Sequence, residues 1–399
     1  MWILRAFATF SAASGLQLNK DKSEIYFNGV QHNTQQDILQ VSGNEGRKLI
    51  DKIVARIRAS GAKHLSYTGR LTLVTSVLQS LHSYWSNIFL IPNCIMSKID
   101  AICRNFLWGG TNLYLRATAI HWDQCCRSKS EGDLGIKATK VWNKAILGKY
   151  VWWIANKKDH LWVKWINHVY MKGTHWTIYT PPTDCSWTWK KIAYLMGIFR
   201  SAYVNDKWNG TITDYSVQEG YRWLRPSLSQ VHWWRVCWNN MNIPKTSFIY
   251  WAMIQNRLFT RDRMNRMGCP QGLSCYICAG ADESHLHLFF DCPFSTRCVY
   301  LLQSYLGIHF DPRKLTQWYR CGRRLSVLVR KFVTSCHIKL VHSIWLARNR
   351  ARLFDQVIHP ELLVKQVLRD MSIRFWAMNQ QIVQSRDKCW LDKIASLSL

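Results

Sequence analysis

The residues best suited to chemistry stand close together: Cys275-Tyr-Ile-Cys278 and, after eight intervening positions, His287-Leu-Phe-Phe-Asp-Cys292. Thiolates and neutral imidazoles are the ligands zinc takes in tetrahedral sites, and a CxxC pair forms a chelating knuckle that a returning segment completes. A full set of four protein ligands leaves no position for an activated water. The expected role is therefore structural, with one Zn²⁺ holding shape. His285 lies beside His287, and in an extended segment both fall on the same side, so either is in reach; His287 is favoured. The competing reading is accident, because with 14 cysteines some pairs fall close together and free cysteine is mostly a small buried hydrophobe. The second half-site at compact spacing decides for zinc.

Charge narrows the class of partner. Lys and Arg number 53 against 24 Asp and Glu, a net charge of +29, and such an excess repels itself unless a polyanion is the partner. The 22 Trp, 16 Tyr and 15 Phe add rings that could stack on bases, although rings dominate core burial and most must be internal. RNA or DNA is the expected partner, with a protein partner as the alternative and solvated surface as the bland reading of the cations. No apolar run approaches the ~20 residues that span a bilayer, so no membrane partner is expected. Met1-Trp-Ile-Leu-Arg5 is apolar, but the small-x-small Ala6-Phe7-Ala8 comes too early for a cleavage site and reads as domain sequence. The cysteines then belong to a reducing intracellular compartment, nucleus or cytoplasm.

Several elements must position these residues. Trp234 and Trp238, then Phe248, Trp251, Ile254 and Leu258, line apolar helical faces before the cysteines, while Arg257, Arg261, Arg263 and Arg266 bring a cation to nearly every turn. Beyond Cys298, helices are expected over 325–329, 338–345 and 362–376. Upstream, Ile3 to Phe10 has helical spacing, residues 25–27 read as a strand, and Leu49, Ile50, Ile53, Val54 and Ile57 form a helical stripe. Ser66 is placed to cap a further helix. Trp162 and Trp165 share a helical face, and Tyr215-Ser-Val217 reads as a short alternating piece.

With these residues in view, a resemblance emerges. Ile243-Pro244-Lys245, Trp251-Ala252, Asn256-Arg257-Leu258, Thr260-Arg261-Asp262-Arg263, Glu283 and His287 through Ser295 resemble the zinc-binding domain at the end of plant non-LTR (LINE-type) retrotransposon reverse transcriptases. In that family the histidine before Leu-Phe-Phe sits at the ligand position, which supports His287. Gly15-Leu16, Lys22-Ser23 and Phe27 to Val30 resemble the tail of the palm, where the lysine matching Lys22 lies near the incoming nucleotide. Leu65-Ser66, Gly69-Arg70, Leu90-Ile-Pro92 and Asn105 to Trp108 resemble the helical thumb, which would turn Arg70 toward phosphate. Trp345-Leu-Ala-Arg348-Asn349-Arg350 resembles a basic helix that follows the zinc domain, with arginines for RNA. His121-Trp122-Asp123 and Glu131 to Ile136 match the connector, except that Asp133 stands where the family prefers glycine.

The resemblance implies a mainly α chain with a small palm-derived α+β remnant. The expected division is a truncated palm over 1–46, a thumb-like domain over 47–110, a Trp-rich connector over 111–230, the zinc-binding domain over 231–305 and a basic helical tail over 306–399. Polymerisation needs carboxylates holding two metal ions. No Asp-Asp dipeptide occurs in this chain and no acid precedes Asp21. A C-terminal portion that binds nucleic acid without polymerising is the expectation; a protein-interaction module and a degenerate retroelement copy are the rivals.

Overall fold

The computed structural model describes Ala12 and residues 48–59, 65–87, 90–110, 120–204, 208, 214–269, 272–321, 325–378 and 385–397. Over these residues the chain is mainly helical, and the β-type pairing among them is a single antiparallel bridge between Ser274 and Asp282. The expected helix over 3–10, the strand over 25–27, the palm remnant and Lys22 lie outside the described residues. The described chain forms two compact units. Of the described residues, one unit takes those up to Leu65 with those within 69–118 and 136–227; the other takes Ser66–Thr68 and those within 119–135 and 228–399.

The principal helices of the first unit are α1 (Lys48–Ala59), α2 (Asn93–Gly109), α3 (Thr139–Ala155), α4 (Trp187–Val204) and α5 (Val217–Leu224). In α1 the stripe works as its spacing predicts: Ile53 and Ile57 are buried while Lys52, Arg56 and Arg58 face solvent. Helix α3 is apolar on nearly every side, because α4 and α5 both pack against it. Trp152, Trp176, Trp189 and Trp208 are buried in the core of this unit, where Trp189 donates its indole N–H to the Tyr179 hydroxyl (2.9 Å) and Trp152 to the Trp208 carbonyl (3.2 Å). Trp162 packs against that core, whereas Trp165 stays 49% exposed.

The Tyr215-Ser-Val217 piece forms no strand and leads into α5. Ser216 caps α5, its hydroxyl accepting from the Glu219 N–H (3.2 Å), so the apparent alternation was a cap followed by the first helical turn. Tyr215 itself threads between α3 and α5, its hydroxyl donating to the Ala145 carbonyl. Gly148 and Gly220 make room for it, since a methyl at either would fall far inside contact distance of the Tyr215 ring or hydroxyl.

The second unit is built on α6 (Pro244–Ile254), α7 (Arg261–Arg266), α8 (Pro293–Leu306), α9 (Val327–Phe354), α10 (Pro360–Met378) and α11 (Ser385–Leu397). The pieces expected at 325–329 and 338–345 are one 28-residue helix, α9, started by the Ser326 hydroxyl accepting from Val329 N–H (3.1 Å). Helices α6, α8 and α10 pack around α9. Phe332, Val333, Cys336, Leu340 and Ile344 are buried along it. Polar ties join distant sequence: Lys339 pairs with Asp370 (2.6 Å), and the Arg374 guanidinium donates to the carbonyls of Asn240, Met241 and Asn242. The Trp251 indole N–H reaches the Gly132 carbonyl (2.9 Å), which makes the 119–135 segment part of this unit. Within it Asp133 is buried, and desolvation pushes its carboxyl up to about 6.

Candidate metal centre

Two short pieces of backbone present the metal-ligating residues. The first is a tight hairpin, closed by the Cys275 N–H on the Ala281 carbonyl (2.7 Å) and the Glu283 N–H on the Leu273 carbonyl (2.7 Å). At its tip Ala279 takes a left-handed φ of +53° and donates its N–H to the Cys275 carbonyl (2.9 Å). This turn is what aims Cys275 and Cys278 the same way. The second piece is a wide π turn, His287–Asp291, closed by the Cys292 N–H on the His287 carbonyl (2.7 Å). Cys292 then stands at the residue just before α8, with Pro293 at the first helical position, where its missing N–H costs nothing.

Together these pieces bring the Sγ atoms of Cys275, Cys278 and Cys292 and a ring nitrogen of His287 within 4.8 Å of one another. Cys278 Sγ lies 3.2 Å from His287 Nε2. Tetrahedral zinc, with Zn–S near 2.3 Å and Zn–N near 2.0–2.1 Å, spaces its ligand atoms by about 3.4–3.8 Å. The donor set and its spacing thus fit Zn²⁺ with only small adjustment. A hydrogen bond from Cys292 draws the Cys275 thiol well below its ordinary range, and the same shared proton pushes Cys292 up. Metal binding must displace that proton, so affinity rises with pH.

The neighbouring histidine is otherwise engaged. His285 is buried, its Nε2 accepts from the Leu258 N–H (3.1 Å), and its Nδ1 meets the Thr260 hydroxyl (3.2 Å), which in turn donates to Asp262 (2.5 Å). Desolvation lowers its pKa to about 4, which keeps the ring neutral and able to accept. The structure gathers His287, not His285, with the cysteines.

Behind the hairpin lies an ion pair that no local pattern announces. Glu283 and Arg348 are 0% and 1% exposed, and the Arg348 guanidinium holds the carboxylate through Nε (3.0 Å) and Nη2 (2.5 Å). The carboxylate also accepts the Arg261 backbone N–H (3.0 Å), and the Tyr276 ring has the Arg261 guanidinium 3.5 Å and the Arg348 guanidinium 4.8 Å from its centroid. Glu283 therefore ties the hairpin, α7 and α9 together. Arg348, expected to contact nucleic acid, is instead enclosed against a carboxylate and presents nothing at the surface.

The remaining candidate arginines separate by position. Arg257, Arg266 and Arg350 are exposed; Arg261 and Arg263 are half-buried. Arg261 also donates to Ser274, Arg263 to the Asn256 carbonyl (3.3 Å), and Arg266 pairs with Asp262 (2.8 Å). Arg257, Arg263 and Arg266 crowd together, and burial plus the two neighbouring charges lower the Arg263 pKa. Arg350 stands apart on α9. Arg70, in the first unit, lies with its guanidinium against Gly110, whose φ of +68° and missing Cβ leave room for that close approach.

Comparison with known proteins bears on this region. Residues 215–298, which contain all four candidate ligands, match a family described as zinc-binding in reverse transcriptase. Over 150 residues, 37% of the chain, the sequence is 32% identical to a putative ribonuclease H protein of Arabidopsis thaliana, and the match spans 24% of that protein's length.

Proposed function

We propose that this chain is a zinc-stabilised, nucleic-acid-binding portion of a protein derived from a non-LTR, LINE-type retrotransposon, whose parent activity is RNA-directed DNA synthesis. The observation that carries the reading is the Cys275, Cys278, His287, Cys292 cluster inside the segment matching the reverse-transcriptase zinc-binding family, which also contains Arg257, Arg263 and Arg266. One Zn²⁺ held by these residues would lock the hairpin to α8 and supply no chemistry of its own. The surrounding arginines would take phosphates of RNA or DNA, while the connector and thumb-like helices upstream carry Arg70. The division at 46, 110, 230 and 305 belongs to this same reading, as does residence in the nucleus or cytoplasm. No polymerase activity is assigned, because the chain carries no paired aspartates.

Titration of the whole chain with labelled RNA and DNA over a range of salt tests the reading. Each phosphate contact contributes about one unit to the slope of log affinity against log salt, so a steep slope is expected, and a flat one would sink it. Primer extension on an RNA template should give no product. A protein-binding reading has one observation in its favour: Leu353 and Phe354 remain 69% and 66% exposed at the end of α9. Salt-insensitive capture by a partner protein would favour it.

A further inference from the structure

The π turn that carries His287 has a second use. Phe290, on the same turn, forms one wall of a cavity of about 470 Å³ in the second unit, with Trp233 and Tyr250 as further ring walls. That volume lies within the range of pockets that hold small ligands, and apolar walls with a few polar groups are their usual composition. The polar groups here are His232, Asn256, His285, Arg313 and Thr316, with the Tyr250 hydroxyl. Arg313 is fixed rather than loose, since it pairs with Asp291 and its guanidinium stands 5.8 Å from the Phe290 ring centre.

The charge on the segments next to the cavity points to the ligand class. Asn256 has a left-handed φ of +52°, and its carbonyl accepts from Arg263 (3.3 Å), so the loop lining the cavity carries Arg257 and is tied to the arginines of α7. On these segments Asp262 and Asp291 are outnumbered by Arg257, Arg261, Arg263, Arg266 and Arg313. An apolar peptide would match the walls but not this rim; a phosphodiester strand matches both. Proteins that hold single strands combine cations along the backbone with aromatic faces for bases. A duplex offers a base to a cavity only after that base is unstacked and unpaired, a cost a single strand largely escapes.

We propose that this cavity receives one unstacked base of a single-stranded nucleic acid, with Arg257, Arg263 and Arg266 holding adjoining phosphates. The inference rests on the nucleic-acid reading above and narrows it to single strands at a stated place. Thr316 lines the same cavity, and Thr316→Trp would fill it without removing a cation.

The test uses the full zinc-loaded chain with a labelled oligothymidylate and a duplex of equal length. Thr316→Trp should weaken the single strand about 10-fold, the scale of one lost stacking contact. It should leave the salt slope, duplex affinity and zinc content unchanged. Ultraviolet crosslinking of the unaltered chain to a strand carrying 5-bromodeoxyuridine gives an independent readout, and crosslinks should map to Trp233, Tyr250 or Phe290. A single strand that binds with crosslinks only elsewhere overturns the cavity assignment and leaves the broader reading standing, as does a folded Thr316→Trp chain that binds like the original. If the unaltered chain binds neither oligonucleotide, both fall together. Should Thr316→Trp fail to fold, the crosslink map alone decides.

Discussion

At the residue scale, the structure separates pairs that the sequence places side by side. Arg348 and Arg350 have the same chemistry two positions apart, yet one is enclosed against Glu283 and the other is exposed. Removing one partner of a buried ion pair typically costs about 3–5 kcal/mol, because the other charge is left without compensation. Arg348→Met should show a loss of that order in chemical denaturation, whereas Arg350→Met should stay within about 0.5 kcal/mol, as surface changes do. Equal effects would contradict the enclosed pair. His285 and His287 divide in the same way. His287→Ala should abolish zinc retention measured by native mass spectrometry. His285→Ala should retain the ion but lose about 1–3 kcal/mol of stability, since it strips an acceptor from the Leu258 N–H. The ligand spacing was legible in the sequence because knuckle chemistry is local. The Glu283–Arg348 pair was not, because 65 positions separate its members and an arginine in a basic run carries no mark of the acid it will meet.

At the scale of elements, periodicity was readable where one face is buried and unreadable where two are. Helix α1 shows its stripe plainly, since Ile53 and Ile57 are buried and Ile50 and Val54 half-buried among exposed cations. Helix α3 is covered by both α4 and α5, so its sequence has no polar face from which to infer a direction. The π turn at His287–Asp291 was also hidden, because an extra residue in a turn leaves no compositional trace. The clearest test of packing between elements is the Tyr215 passage. Gly220→Ala would drive a methyl into the Tyr215 hydroxyl, so α5 or the ring must shift. Overpacking of this kind costs roughly 1–3 kcal/mol. The first unit should melt earlier while zinc content is unchanged; an unaffected melt would show that the ring has room to swing away.

Over the whole molecule, titration and charge act together. His82, His337 and His342 are buried, and desolvation holds each ring neutral with a pKa of about 4, below the 6.5 of the unfolded chain. Between those values the unfolded state binds more protons, so stability falls as pH drops from about 6.5 toward 4, by up to about 3 kcal/mol per group. Denaturation midpoints taken across that window should fall steadily; a flat profile would mean that the rings are solvated. The net charge of +29 predicts opposite responses to salt, with added salt relieving self-repulsion and raising the melting temperature of the free chain while weakening its hold on polyanions. The Glu283–Arg348 pair has a consequence for what can be cut out and moved. The segment recognisable as zinc-binding ends at Cys298, but the arginine that neutralises its hairpin comes from α9, and Trp251 leans on a carbonyl at Gly132 far upstream. A fragment trimmed to the recognisable borders would keep every metal ligand and still carry an unmatched buried carboxylate. The heritable, transplantable piece is therefore larger than the motif that identifies it, and inserting the motif alone into another protein would transfer the ligands without their support.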